Sequence, residues 1–96
     1  MSKLILMFAF FAKPAPHTVT LSWIASLSGG TVDVYRASAA CATQPYYSRI
    51  AIFVPPSGPY VDPVSPGTYS YYVTAEVNGV ESVPSNCIDA SVKGGK

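Results

Sequence analysis

The stretch Ser65-Pro66-Gly67-Thr68-Tyr69-Ser70-Tyr71-Tyr72-Val73-Thr74-Ala75-Glu76-Val77-Asn78-Gly79-Val80-Glu81-Ser82 decides the fold. Tyr69, Tyr71, Val73, Ala75 and Val77 recur at every second position, which puts them on one face of a strand. The residues are aromatic and β-branched, the types that fit a pleated, half-buried surface. Ser65-Pro66-Gly67-Thr68 turns the chain before the strand, and Asn78-Gly79 is a strong hairpin signal after it.

The same period runs upstream. In His17–Ala25, Val19, Leu21 and Trp23 face one way and Thr18, Thr20 and Ser22 the other. Ser28-Gly29-Gly30 supplies a turn. Thr31–Ala37 follows as a strand, with Val32 and Val34 on one face and Asp33 and Tyr35 on the other. Ser38–Pro45 reads as a loop that carries Cys41. Tyr46–Val54 is a further strand, broken by Pro55-Pro56-Ser57-Gly58-Pro59, and Tyr60-Val61-Asp62 a short one before Pro63. Glu81–Val92 is expected to close the sheet with Ile88, Ala90 and Val92 inward. The Lys93–Lys96 tail is expected to be loose.

Several of these segments together resemble the fibronectin type III domain in its bacterial form. Leu21-Ser22-Trp23 is similar to that family's second strand, whose tryptophan anchors the core. Val34-Tyr35-Arg36 is similar to its third strand. Pro66–Ala75 resembles the sixth, where Tyr69 stands as the tyrosine-corner residue. Asn78-Gly79-Val80-Glu81-Ser82, followed by Pro84-Ser85-Asn86, is similar to the last hairpin. The motifs cover residues 17–92 in order. The resemblance implies an all-β fold, an immunoglobulin-like sandwich of about seven strands. It carries no Arg-Gly-Asp tripeptide in the last hairpin, so a cell-attachment role does not follow. The expected organisation is an apolar arm and Pro-rich linker over 1–16, the sandwich over 17–93 and a tail over 94–96.

The chain departs from the family at its start. Leu4-Ile5-Leu6-Met7-Phe8-Ala9-Phe10-Phe11-Ala12 is apolar at every position. It is far shorter than the ~20 residues a membrane-spanning helix needs. After Lys3 it has the look of a signal-peptide core, but cutting after Ala12 or Ala15 puts Phe10 or Lys13 where a small residue is wanted. As a strand it is apolar on both faces, more than an outer strand of a lone sandwich needs. The favoured reading is a strand whose Leu4, Ile5, Leu6, Met7, Phe8, Phe10 and Phe11 contact another subunit, ended by Lys13-Pro14-Ala15-Pro16.

Cys41 and Cys87 are too far apart for zinc spacing. They are either two free thiols or a disulfide. In the family's topology their strands are not neighbours, so a bridge within one chain needs the 39–44 loop to fold across. A bond between subunits is the other solution.

Catalytic chemistry is hard to assemble from the rest. The chain has 96 residues, 11% of them charged, and a net charge of +1. Its basic residues are scattered, which argues against nucleic acid as a partner. His17 is the sole histidine and offers neither a metal site nor a base–nucleophile pair. No Gly-x-Ser-x-Gly elbow or phosphate cradle occurs. Asp62, Glu76 and Glu81 could pair as general acid and base only by accident of folding, and most such acids are expected to be solvated charges. No enzyme activity, cofactor or metal is expected. Tyr35 and Tyr72 project outward from adjacent strands, either as a binding face or as a cross-strand pair that stabilises the sheet.

The expected function is a non-enzymatic assembly or surface-decoration subunit of a surface layer, filament or phage virion. Its partner would be itself or a neighbouring structural protein, and its place outside the cell or on a particle surface. The alternative is a secreted binding or adhesion module that takes carbohydrate.

Overall fold

The computed structural model describes residues 8–25, 30–55 and 59–93. Its strands are β1 (Phe8–Ala15), β2 (Thr18–Ala25), β3 (Thr31–Ala37), β4 (Ser48–Val54), β5 (Tyr60–Pro63), β6 (Gly67–Val77), β7 (Val80–Glu81) and β8 (Ile88–Val92). A 3-10 turn, Cys41–Thr43, lies in the loop before β4. The strands form two antiparallel sheets, ordered β1-β2-β5 and β4-β3-β6-β7, with β8 also paired to β6. The all-β sandwich read from the sequence is the observed architecture.

The core lies between the sheets, and the period-2 pattern fixes its membership. Val19, Leu21 and Trp23 of β2 meet Val32 and Val34 of β3, Tyr71 and Val73 of β6, and Ala90 and Val92 of β8; Val54 of β4 completes it. Leu21, Val32, Val34 and Val73 are fully buried, each of a size whose burial contributes about 1.5–3 kcal/mol.

Turn chemistry holds the registers. Asn78 and Gly79 both have positive φ, 53° and 77°, the condition for the type I′ turn that joins β6 to β7. Gly30 sits at φ 84°, and a Cβ there would stand 2.6 Å from the Glu76 carbonyl oxygen. The β1–β2 turn places Pro16 before His17 at φ 65°, the pairing of fixed and positive φ found in type II turns.

Three elements differ from the sequence reading. Lys13-Pro14-Ala15 does not end β1 but continues it, with Pro14 opposite Val19. Proline is tolerated there because β1 is an edge strand. The strand expected over Tyr46–Val54 starts only at Ser48 and carries two register shifts against β3. The strand expected over Glu81–Val92 is split into β7 and β8 by Pro84, which has no N–H to give the ladder. Across that gap two serines replace strand pairing. Ser82 donates its N–H to the Ala75 carbonyl (2.7 Å) and accepts the Ala75 N–H on Oγ (2.9 Å). Ser85 does the same for Val73, at 2.8 and 3.0 Å. The backbone groups of β6 therefore stay satisfied where the ladder lapses.

Candidate functional site

Two of the acids, Asp33 and Asp62, are buried. Asp62 on β5 is buried between the sheets. It accepts two hydrogen bonds from Arg36 Nη1, at 2.8 and 2.9 Å, and one from the Tyr71 hydroxyl at 2.7 Å. The Arg36 guanidinium also lies 5.9 Å from the centre of the Tyr69 ring. Burial opposes the charge on Arg36, but its bonds to Asp62 outweigh that and hold its pKa above the ordinary value. Burial, and then the bond to Asp62, push the Tyr71 phenol upward. The network ties β3 and β6 of one sheet to β5 of the other. Tyr69, the corner tyrosine, donates to the Ser65 carbonyl four residues upstream at 2.6 Å, which pins the turn into β6.

The outer face of the five-stranded sheet carries the tyrosines singled out above. Tyr35 and Tyr72 are register partners on β3 and β6, and their rings stack at 4.6 Å, 13° from parallel. Tyr47 leans across to meet Tyr72 at 4.9 Å, and its hydroxyl lies 2.7 Å from Ser70 Oγ and 3.0 Å from Cys87 Sγ. Tyr35 and Thr74 both donate to Glu81 Oε2. Burial, and then the Glu81 bond, push the Tyr35 phenol up to about 12. Burial pushes the Glu81 carboxyl up, but the bonds from Thr74 and Tyr35 win and lower it. The two outward tyrosines thus turn their π-faces on each other, and Tyr35 also ties down Glu81. That is a cross-strand pair; a flat sugar ring would find neither of those two facing surfaces open.

Beside them Asp33 is fully buried. Its Oδ1 accepts the Phe53 N–H at 3.4 Å; Oδ2 has no hydrogen-bond donor, and Arg49 Nη1 stands 3.8 Å away. Glu76 is held above the usual carboxylate range chiefly through a hydrogen bond with Asp33. Asp33 props open a bulge in β4, where Phe53 adopts φ 59°, a conformation rare for an aromatic residue.

Cys41 and Cys87 are joined by a disulfide, with their Cα atoms 6.0 Å apart. The 3-10 turn makes this geometry. It lifts Cys41 over the edge of the sheet, where its N–H donates to Asp89 Oδ1 of β8 at 2.7 Å. The loop does fold across, within one chain. Disulfides persist in oxidising settings, so this one is compatible with an extracellular protein.

Of the expected subunit-contact residues, Leu4, Ile5, Leu6 and Met7 lie outside the described residues, as does the 94–96 tail. Phe8, Phe10 and Phe11 belong to β1, which is hydrogen-bonded to β2 over its whole length. Its other long edge has no strand partner among the described residues. Among those residues no three His, Cys, Asp or Glu are placed to hold a metal ion, and no helix is long and apolar enough to cross a membrane.

Sequence reasoning missed the Asp33 and Asp62 sites. The only signal was an acid in each of two apolar strands, Asp33 between Val32 and Val34 and Asp62 after Val61.

No protein-family model and no curated protein matches the chain. Solved structures that share its fold include the following two. One is a β-1,2-glucanase from Parabacteroides distasonis, at 21% identity and a TM-score of 0.77. That match covers 99% of this chain but only 14% of the glucanase chain, so the likeness is to one part of a much larger protein. The other is an Fn3-like protein from Clostridium thermocellum, at 25% identity and a TM-score of 0.73, with 95% of each chain covered. The sheet order, the corner tyrosine and this end-to-end match make the chain a fibronectin type III-like domain.

Proposed function

We propose that the domain is a non-enzymatic structural module, a small assembly or surface-decoration subunit of a surface layer, filament or virion, joined to its neighbour through β1. The observation that carries this reading is the outer edge of β1, which no strand pairs among the described residues; β1 is an eight-residue strand that begins Phe8-Ala9-Phe10-Phe11 and follows the apolar Leu4–Met7 in sequence. An open edge presents unpaired N–H and C=O groups in a row, and strand addition satisfies them while burying apolar side chains. The fold supports the non-catalytic part of the reading, since fibronectin type III-like sandwiches typically present surfaces rather than reacting groups. The disulfide fits an assembly exposed to oxidising conditions.

Lys13, exposed on β1, gives the test. Amine cross-linking of the protein in its natural particle, followed by mass spectrometry, should join Lys13 to a neighbouring subunit. Cross-links from Lys13 confined to its own chain would count against a contact at β1.

A further inference from the structure

We infer that the Cys41–Cys87 bridge is a thiol-exchange site, where a small aminothiol is captured on Cys41 while Cys87 leaves as a thiolate held by the Tyr47 hydroxyl. Nothing in this depends on assembly through β1.

The bridge is within reach of solvent. Cys87 is exposed and Cys41 half-buried. Exposed disulfides are the labile ones, whereas secreted proteins' structural bridges resist reduction. The loop that this bridge clips down, residues 38–47, gives no side chain to the core, whose flanking members in sequence are Val34 and Ile50. Opening the bridge therefore releases a loop and leaves the interior of the sandwich packed.

The two sulfurs are not equivalent. Tyr47 Oη lies 3.0 Å from Cys87 Sγ and 2.7 Å from Ser70 Oγ. A disulfide sulfur carries no hydrogen, so Tyr47 is the donor to Cys87. With that O–H spent, the Ser70 hydroxyl donates in turn to Tyr47. Ser70 is fully buried, and the Tyr47 ring leans on Tyr72 at 4.9 Å, so the donor is held from two sides. At the other half of the bridge, the Cys41 N–H donates to Asp89 Oδ1 at 2.7 Å, which keeps a carboxylate close to Cys41. Negative charge developing on Cys87 Sγ meets a hydroxyl donor; on Cys41 Sγ it would meet another negative charge.

That asymmetry sets the direction of exchange. The incoming thiolate sulfur attacks Cys41 Sγ and forms a bond to it. The Cys41–Cys87 bond breaks, and its electron pair goes to Cys87 Sγ. The incoming thiol is oxidised to a mixed disulfide and Cys87 is reduced; the Cys87 thiolate then takes a proton from water. A thiol that carries an ammonium group suits Cys41 best, because Asp89 attracts the cation.

The test uses the full oxidised chain, with Tyr47 natural or replaced by Phe, and 2-aminoethanethiol as the probe under native conditions. Free thiols are trapped by alkylation, and peptide mapping locates each added mass. The natural chain should carry the aminothiol on Cys41 and the alkyl group on Cys87. Tyr47→Phe keeps a ring against Tyr72 and loses the donor, so exchange should slow about fivefold, the rate equivalent of one hydrogen bond. Circular dichroism should be the same in both chains before and after exchange. If Tyr47 only braced the loop, its loss would act with the opposite sign, since a loosened loop exchanges faster. Aminothiol found mainly on Cys87 overturns the inference. So does exchange in Tyr47→Phe as fast as in the natural chain or faster, or exchange that occurs only once denaturant unfolds the sandwich.

Discussion

Replacing Asp62 by Ala should cost about 3–4 kcal/mol, more than any exposed substitution in the chain. Asp62 is the acceptor for both Arg36 and the Tyr71 hydroxyl, and 4% of its side chain is exposed. Removing one partner of a buried ion pair typically costs about 3–5 kcal/mol, because the remaining charge is left without compensation. Here the Arg36 side chain is 30% exposed, so water recovers part of its charge and the ion-pair loss falls to about 2–3 kcal/mol. The Tyr71 hydroxyl is fully buried and has no such recourse, which adds about 1 kcal/mol. For a domain of this size each kcal/mol moves Tm by about 4–8 °C, so Asp62→Ala should lower it by roughly 12–30 °C. Urea unfolding followed by tryptophan fluorescence gives the free energy directly, since Trp23 reports on the same core. A double-mutant cycle with Arg36→Met should show coupling of at least about 1.5 kcal/mol. A loss under about 1 kcal/mol, or additive single and double variants, would refute the claim that this network joins the sheets.

Three further outcomes follow from the same geometry. Opening the Cys41–Cys87 bridge by Cys→Ser substitution at both positions should cost about 4 kcal/mol from the 46-residue separation, read as a lower denaturation midpoint; no change would mean the bridge does not constrain the unfolded chain. Tyr69→Phe removes only the hydroxyl bonded to Ser65 and should cost about 1 kcal/mol by thermal melting, with the fold intact. In an alkaline titration followed by phenolate absorbance, Tyr35, Tyr60, Tyr71 and Tyr72 should ionise late, Tyr35 near pH 12. Their folded pKa values lie above the unfolded 10.0, so the stability they contribute is full below pH 10 and is lost as pH rises through the folded values. All seven tyrosines titrating together near pH 10 would contradict their burial.

The fold was legible because alternation survives in single strands. Tyr71-x-Val73-x-Ala75 and Val19-x-Leu21-x-Trp23 each name a buried face without help from partners. The Asn78-Gly79 turn and the corner role of Tyr69 were legible for the same reason, since both are local. What the sequence hid depends on cross-sheet distances. Asp62 is an ordinary strand acid until Arg36 and Tyr71 arrive from the other sheet. Ser82 and Ser85 look like loop residues until they stand beside Ala75 and Val73. The Cys41–Cys87 pairing is not legible, because it depends on a three-residue 3-10 turn that has no pattern of its own. Pro14 reads as a strand end in sequence because a proline's effect differs between an edge and a centre, and one sequence does not say which strand is at the edge.

The claim that this sandwich works by assembling through β1 is tested most directly by native mass spectrometry of the protein from its natural source, without reductant. The account predicts a multi-chain assembly whose subunits retain residues 1–12 and are each two hydrogen masses light from the Cys41–Cys87 bridge. A monomer lacking that segment would contradict it and leave a secreted binding module in its place.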